Sequence, residues 1–346
     1  MCGGPSEEEQ KKLQGGRGQC KSIENLLISE NDITHLGIQS ALRNLPYLKT
    51  VDHASLIQAL ADLQHNQEPL PKYGLISLKL TDIIPSPPYR HGSFGLAASI
   101  CPFVSNLELY INTISDLVTI TDEELLGLFA LKNLQKFTFH GIFFNGNESI
   151  ITFNGGIVPL LKANGMSLHY LKIYTTLFSV DVALLIELCP NLLNLELYCR
   201  YVSTSQDEPP NPNRTKTDSF VLNRLETLEI NGCHGSPIPS DNLVRLLCAV
   251  PTLASLVFEF CTSLTDDVIQ KVFECHSFPC LRKLELKCCN FVTNEGIDLF
   301  MTEENALETI RIIHCPLVAQ GRANQWKNKA KNNNWNCSIE CYMYTF

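Results

Sequence analysis

The 346 residues carry a formal net charge of −9 and a sequence pI near 5.5, which excludes the basic footprint of a nucleic-acid or anionic-membrane binder. Hydrophobic residues make up 45% of the chain, enough to line a continuous core, yet no run of about 18 apolar residues is present to span a membrane. The opening MCGGPSEEEQKKLQGG lacks an apolar h-region, so no secretory signal is expected. The 15 cysteines are then read as reduced thiols of a cytoplasmic or nuclear protein.

Residues 1–20 are rich in Gly, Glu and Lys and read as a disordered lead-in. From residue 21 a phrase of spaced apolar residues recurs. Ile23, Leu26 and Ile28 carry the first copy, ahead of a helix around His35–Leu45. A degenerate copy from Leu48 keeps Val51, with a helix over Ser55–Gln64, and Leu75, Leu78 and Leu80 restore the pattern. Val104, Leu107 and Leu109 continue it before Thr121-Asp-Glu-Glu124, whose spacing predicts a capping box opening a helix through Phe129. Leu134, Phe137 and Phe139 follow, with an insertion near Phe143–Asn154. Leu168, Leu171 and Ile173 then precede a helix over Val180–Leu188, and Leu192, Leu195 and Leu197 come next.

The proline-containing stretch Ser203–Ser219 reads as a mobile insertion. After it the phrase is clearest: LETLEINGC, LASLVFEFC, LRKLELKCC and LETIRIIHC begin at Leu225, Leu253, Leu281 and Leu307, spacings of 28, 28 and 26 residues. A period in this range with L-x-x-L-x-L-x-x-(N/C) is the signature of a leucine-rich-repeat solenoid. Positions four and six of the phrase alternate with positions five and seven, so the first pair faces a core and the second faces solvent. The ninth-position cysteines turn inward at the bend. Helices fill the returns: Ser240–Val250 behind a capping residue, Leu264–Phe273 capped by Thr265, and a third capped by Thr293. Residues 317–346 change character and read as a cap over the open end of the array.

The expected architecture is an α/β horseshoe of about ten strand–helix repeats over residues 21–316, with a parallel sheet on its concave face. CPNLLNLELYC, CTSLTDDVIQKVF and CCNFVTNEGIDLF resemble the cysteine-containing repeats of the F-box/leucine-rich-repeat proteins. The resemblance implies a horseshoe that selects substrates for a cullin-type ubiquitin ligase, with ubiquitin-ligase subunits among its partners. It covers the repeats, and no F-box is evident in residues 1–20.

No catalytic signature appears: G-x-G-x-x-G, the P-loop, H-E-x-x-H and G-x-S-x-G are all missing. His314-Cys315 and Cys275-His276 could suggest a thiol enzyme, but both cysteines are expected to be structurally buried. Cys275, His276 and Cys280, with Cys337 and Cys341, lack the C-x2-C pair of a zinc site, so neither metal nor cofactor is expected. What stands out is a column on the solvent-facing sheet. Position seven reads Tyr110, His140, Tyr174 and Tyr198 on four successive strands, then Asn231 and Glu259. Position five supplies Glu108, Glu196, Glu229 and Glu285.

Exposed tyrosines are favoured at binding hot spots, and the carboxylates would suit a partner with a basic segment. Sheet propensity alone also places Tyr in strands, and glutamates can simply solvate a face. The expected function is non-catalytic protein–protein recognition through the concave sheet, with no nucleic acid and no membrane. Inhibition of a partner enzyme by covering its active site is the alternative.

Overall fold

The computed structural model describes residues 22–28, 33–63, 71–81, 90–113, 120–143, 151–203, 221–232, 239–302 and 306–342. The lead-in at 1–20, Cys233 and nearly all of the 203–219 insertion lie outside them. Among the described residues twelve strands form one sheet in strict sequence order: β1 (Asn25–Leu27), β2 (Thr50–Asp52), β3 (Ser77–Thr81), β4 (Asn106–Thr113), β5 (Lys136–Phe143), β6 (Tyr170–Asp181), β7 (Asn194–Ser203), β8 (Thr227–Gly232), β9 (Ser255–Glu259), β10 (Lys283–Lys287), β11 (Thr309–Ile313) and β12 (Ser338–Tyr342). Every neighbouring pair is parallel, so each return crosses back on the same side.

The returns carry ten α-helices among the described residues: α1 (His35–Asn44), α2 (Leu56–Leu63), α3 (Ser93–Ile100), α4 (Asp122–Leu126), α5 (Val158–Asn164), α6 (Val182–Leu188), α7 (Ser240–Cys248), α8 (Asp266–Cys275), α9 (Asn294–Phe300) and α10 (Gln320–Asn332). Phrase positions four and six are buried beneath them: Leu256, Phe258, Leu284, Leu286, Ile310 and Ile312 are all at most 1% exposed. Helices are about 10 Å wide and parallel strands about 4.8 Å apart, so the helical layer must take the outer arc and the sheet the concave one. This is a leucine-rich-repeat solenoid.

The bend after each C-terminal strand explains the repeat cysteine. Phe260, Cys288 and His314, at the eighth position, take left-handed backbone with φ of 52°, 51° and 55°. Their amides still reach the next strand, as Cys288 N donates to Ile313 O at 2.8 Å. The turn leaves carbonyls pointing inward, and the buried Cys315 thiol lies 3.6 Å from Leu286 O while Cys289 lies 3.8 Å from Phe258 O. In β8 this position is Gly232, where a Cβ would stand 2.6 Å from Phe260 O.

Among the described residues ten of the twelve strands are followed by an α-helix, as about ten strand–helix repeats require. Several expectations are corrected. The twelfth strand comes from the tail, where Ile339 and Cys341 pair with Ile310 and Ile312 although the phrase is absent. Thr121 and Glu124 form no capping box. Glu124 instead accepts from Gly92 N at 2.6 Å, at the start of α3, and α4 passes into a 3-10 turn after Leu126. α7 has no side-chain cap, because Ser240 is already helical behind Pro239. Thr265 and Thr293 do cap α8 and α9.

Candidate functional site

The parallel registers turn the sequence column into neighbours. Tyr110 pairs with His140, His140 with Tyr174, Tyr174 with Tyr198, and Tyr198 with Asn231. The rings stack across strands, with centroids 4.6, 5.2 and 5.5 Å apart and interplanar angles of 18°, 18° and 36°. Because the faces cover one another, the ladder presents ring edges and polar atoms outward. Cations lie against its two outer rings: Lys79 Nζ, from β3, is 5.5 Å from the Tyr110 centroid, and Lys172 Nζ, from β6, is 5.0 Å from that of Tyr198.

The glutamates are tied into this face. Tyr110 donates to Glu108 at 3.2 Å, and Tyr198 donates to Glu229. Glu196 accepts from Tyr170 at 2.7 Å and pairs with Lys172 at 2.7 Å. Glu285, only 5% exposed, sits between Lys283 at 2.8 Å and Lys287 at 3.0 Å. The Glu259 carboxylate makes no ion pair or hydrogen bond among the described residues, although its cross-strand neighbour is Lys287, on which its charge acts. The face as a whole is close to neutral, so the C-terminal half is not the plainly acidic surface that positions five and seven suggested.

Lysines of the same face account for the difference: Lys172 at position five, Lys287 at position seven and Lys283 at position three. Lys136, Tyr170 and Lys283 lie on the same face and were missed, although the same period-two alternation marks them. Tyr170 carries Lys136 Nζ 4.8 Å from its ring centroid.

Burial and neighbouring carboxylates keep the phenols protonated. Burial, then the charge of Glu108, pushes the Tyr110 hydroxyl up to about 12, and Tyr170 and Tyr198 are raised by burial and by their glutamates. Burial and then Lys172 lower His140 below its ordinary value, so the ring at the centre of the ladder is neutral at pH 7.

The thiol candidates are occupied otherwise. Cys275 is exposed rather than buried, and it is joined by a disulfide to Cys248, linking α8 to α7 across a Cα–Cα distance of 5.8 Å. This corrects the reading of all cysteines as reduced. Both ring nitrogens of His276 are engaged: Nε2 lies 2.9 Å from Leu247 O, and Nδ1 accepts from Phe278 N at 3.3 Å. Cys315 is buried as expected, against Cys289, whose thiol is raised by its hydrogen bond to Cys315 and by burial. Burial alone pushes Cys101 and Cys189 up to about 12. Among the described residues no group of His, Cys, Asp or Glu converges to hold a metal ion, and no helix is long and apolar enough to cross a membrane.

No protein-family model matches the chain, and no curated protein matches it either. Among solved structures it is similar to the crystal structure of the yeast Rad7 and Elc1 complex, at 18% identity and a TM-score of 0.48, covering 90% of this chain and 84% of that chain.

Proposed function

We propose that this protein is a non-catalytic recognition module that holds a protein partner against its open sheet, with Tyr110, His140, Tyr174 and Tyr198 at the centre of the contact. The stacked ladder carries this reading. A row of rings held by its neighbours has already given up its rotamer freedom, so a partner that buries it meets little further entropic cost. The tyrosine–glutamate bonds fix the orientation of the phenols before any partner arrives. Among the described residues, the side chains of Tyr174 and His140 form no hydrogen bond, leaving donors and an acceptor at the middle of the face for a partner's backbone or polar side chains.

The absence of catalysis in this reading is supported by the state of the candidate thiols: Cys275 is disulfide-bonded, and Cys315 is buried in a hydrogen-bonded pair with Cys289. The repeat resemblance supports a finer role as a substrate-selecting subunit of a cullin-type ubiquitin ligase. Of the predicted carboxylates, Glu259 and Glu229 keep the most capacity to meet a basic segment, because Glu196 and Glu285 are already paired with lysines.

The test is affinity capture from native lysate with the parent protein and the Tyr174→Ala/Tyr198→Ala variant, followed by mass spectrometry. Partners retained by the parent should fall about tenfold or more with the variant, as loss of two central aromatic contacts implies. Co-purification of a cullin and its adaptor would support the ligase role. Equal capture by both proteins would remove the ladder from the site.

A further inference from the structure

Most charges on the open sheet are consumed within it. Lys79 pairs with Asp52 at 3.1 Å, Lys172 with Glu196 at 2.7 Å and Arg311 with Glu340 at 2.8 Å, while Glu285 takes both Lys283 and Lys287. Three charges, Lys136, Glu259 and Glu229, have no ion pair of their own among the described residues. Lys136 on β5 is exposed and forms no ion pair among the described residues; its Nζ rests over the neutral ring of Tyr170. Glu259 on β9 forms no ion pair among the described residues, since its cross-strand neighbour Lys287 is bound to Glu285, and towards β8 lies Glu229, whose hydrogen bond comes from the neutral Tyr198 hydroxyl. The open face is therefore bipolar. One unspent cation lies at the β5 side of the ladder and two carboxylates lie at the β8–β9 side. Glu108 on β4, bonded only by the neutral Tyr110 hydroxyl, bars a second acidic contact beyond Lys136.

From this arrangement we infer that the partner presents an extended, bipolar peptide segment, with an acidic residue meeting Lys136 and a basic residue meeting Glu259 and Glu229, its middle lying across the tyrosines. The inference rests on the recognition reading above and adds the chemistry and the direction of the bound segment. β5 and β9 are four strand intervals apart, about 19 Å at about 4.8 Å each. An extended chain rises about 3.3 Å per residue, so it covers that span in about six residues. Lys136 lies at the third and Glu259 at the seventh phrase position, so the path is oblique and the acidic and basic residues stand about six to eight positions apart. Lys136 has no ion pair to break among the described residues, and Glu259 shares its cross-strand neighbour Lys287 with Glu285, which holds that ammonium at 3.0 Å, so a partner's cation adds to the Glu259 side without displacing an ion pair of its own.

A displayed library of random linear peptides tests this on four proteins: the parent, the Lys136→Glu/Glu259→Lys double swap, the Tyr174→Ala/Tyr198→Ala variant, and a Glu274→Lys control on the exposed side of α8. Both swapped residues lie at the surface of the sheet, and melting curves superposable on the parent's verify that the variants fold. The parent and the control should enrich segments with an acidic and a basic residue at the stated spacing. The double swap should enrich the opposite order and bind parent-selected peptides about three- to tenfold more weakly per charge reversed.

Enrichment that depends on the tyrosines but ignores the swap would overturn the bipolar segment and leave the ladder reading standing. No tyrosine-dependent enrichment from any of the four would overturn both.

Discussion

At the residue scale, several polar groups of the proposed site are held in bonds within the sheet. The phenol of Tyr198 is bound to Glu229, and burial together with that carboxylate raises its pKa. Replacing it with Phe leaves the stack and removes one hydrogen bond, so unfolding should cost about 1 kcal/mol less, read from denaturant midpoints. His140 gives a pH signature. Its folded pKa lies below the unfolded value of about 6.5, so the neutral ring contributes fully above about pH 6.5, and that stability is lost as pH falls from there towards the folded pKa. Parent and His140→Gln unfolding curves should thus converge as pH drops from about 7.5 to about 5.5; parallel curves across that range would mean that the ring titrates normally.

The column itself was legible in the sequence because strand side chains alternate with period two, and parallel register then forces equal phrase positions together. That the glutamates are internally spent was not legible. It depends on Lys283 and Tyr170 at phrase position three and on side-chain geometry across strands, which no linear pattern encodes.

At the element scale, two helix starts are braced by a carboxylate of the preceding repeat. Asp266, at the first turn of α8, accepts from Thr293 N at 3.0 Å and from its hydroxyl at 2.6 Å, tying the cap of α9 to the preceding repeat. Asp122 does the same for Thr152, at 2.9 and 2.8 Å. Asp266→Ala strands a cap donor and should destabilise by about 1–2 kcal/mol, measurable as a lower urea midpoint with unchanged slope. The disulfide between α7 and α8 closes 27 residues of chain, worth about 3–4 kcal/mol by loop entropy. Reducing agent should lower the melting temperature of the parent and leave Cys248→Ser/Cys275→Ser unmoved; equal response of the two would place the effect elsewhere.

The helices were visible as i, i+3, i+4 apolar spacing, and their caps only in part. Thr265 and Thr293 precede acidic first turns and cap as the sequence suggests. Thr121 precedes one too, but Glu124 is drawn to the Gly92 amide of the preceding repeat, a tertiary partner invisible in a local motif. The disulfide escaped for a similar reason: Cys248 and Cys275 sit at the ends of successive helices, brought together only when the repeats stack.

At the scale of the whole molecule, twelve parallel strands cooperate through nearest neighbours, and the ends carry the consequences. The first three strands are thinly joined, as β2 and β3 share one registered pair and Leu27 is 75% exposed. At the other end α10 drives Trp326, 2% exposed, against the last repeat, where its indole donates to Asp298 at 2.6 Å. The repeat phrase did not announce β12, because the final strand needs only Ile339 and Cys341 to face the core.

A horseshoe braced in this way offers one continuous concave surface, and the central claim is that a partner lies on it. Hydroxyl-radical footprinting of the protein, free and bound to the partner isolated by capture, tests this most directly. The account predicts protection of Tyr110, Tyr174 and Tyr198, with Phe103, Met166 and Phe291, exposed at turns outside the strand row, labelled as before. Protection of those turn residues with an unchanged tyrosine ladder would contradict it.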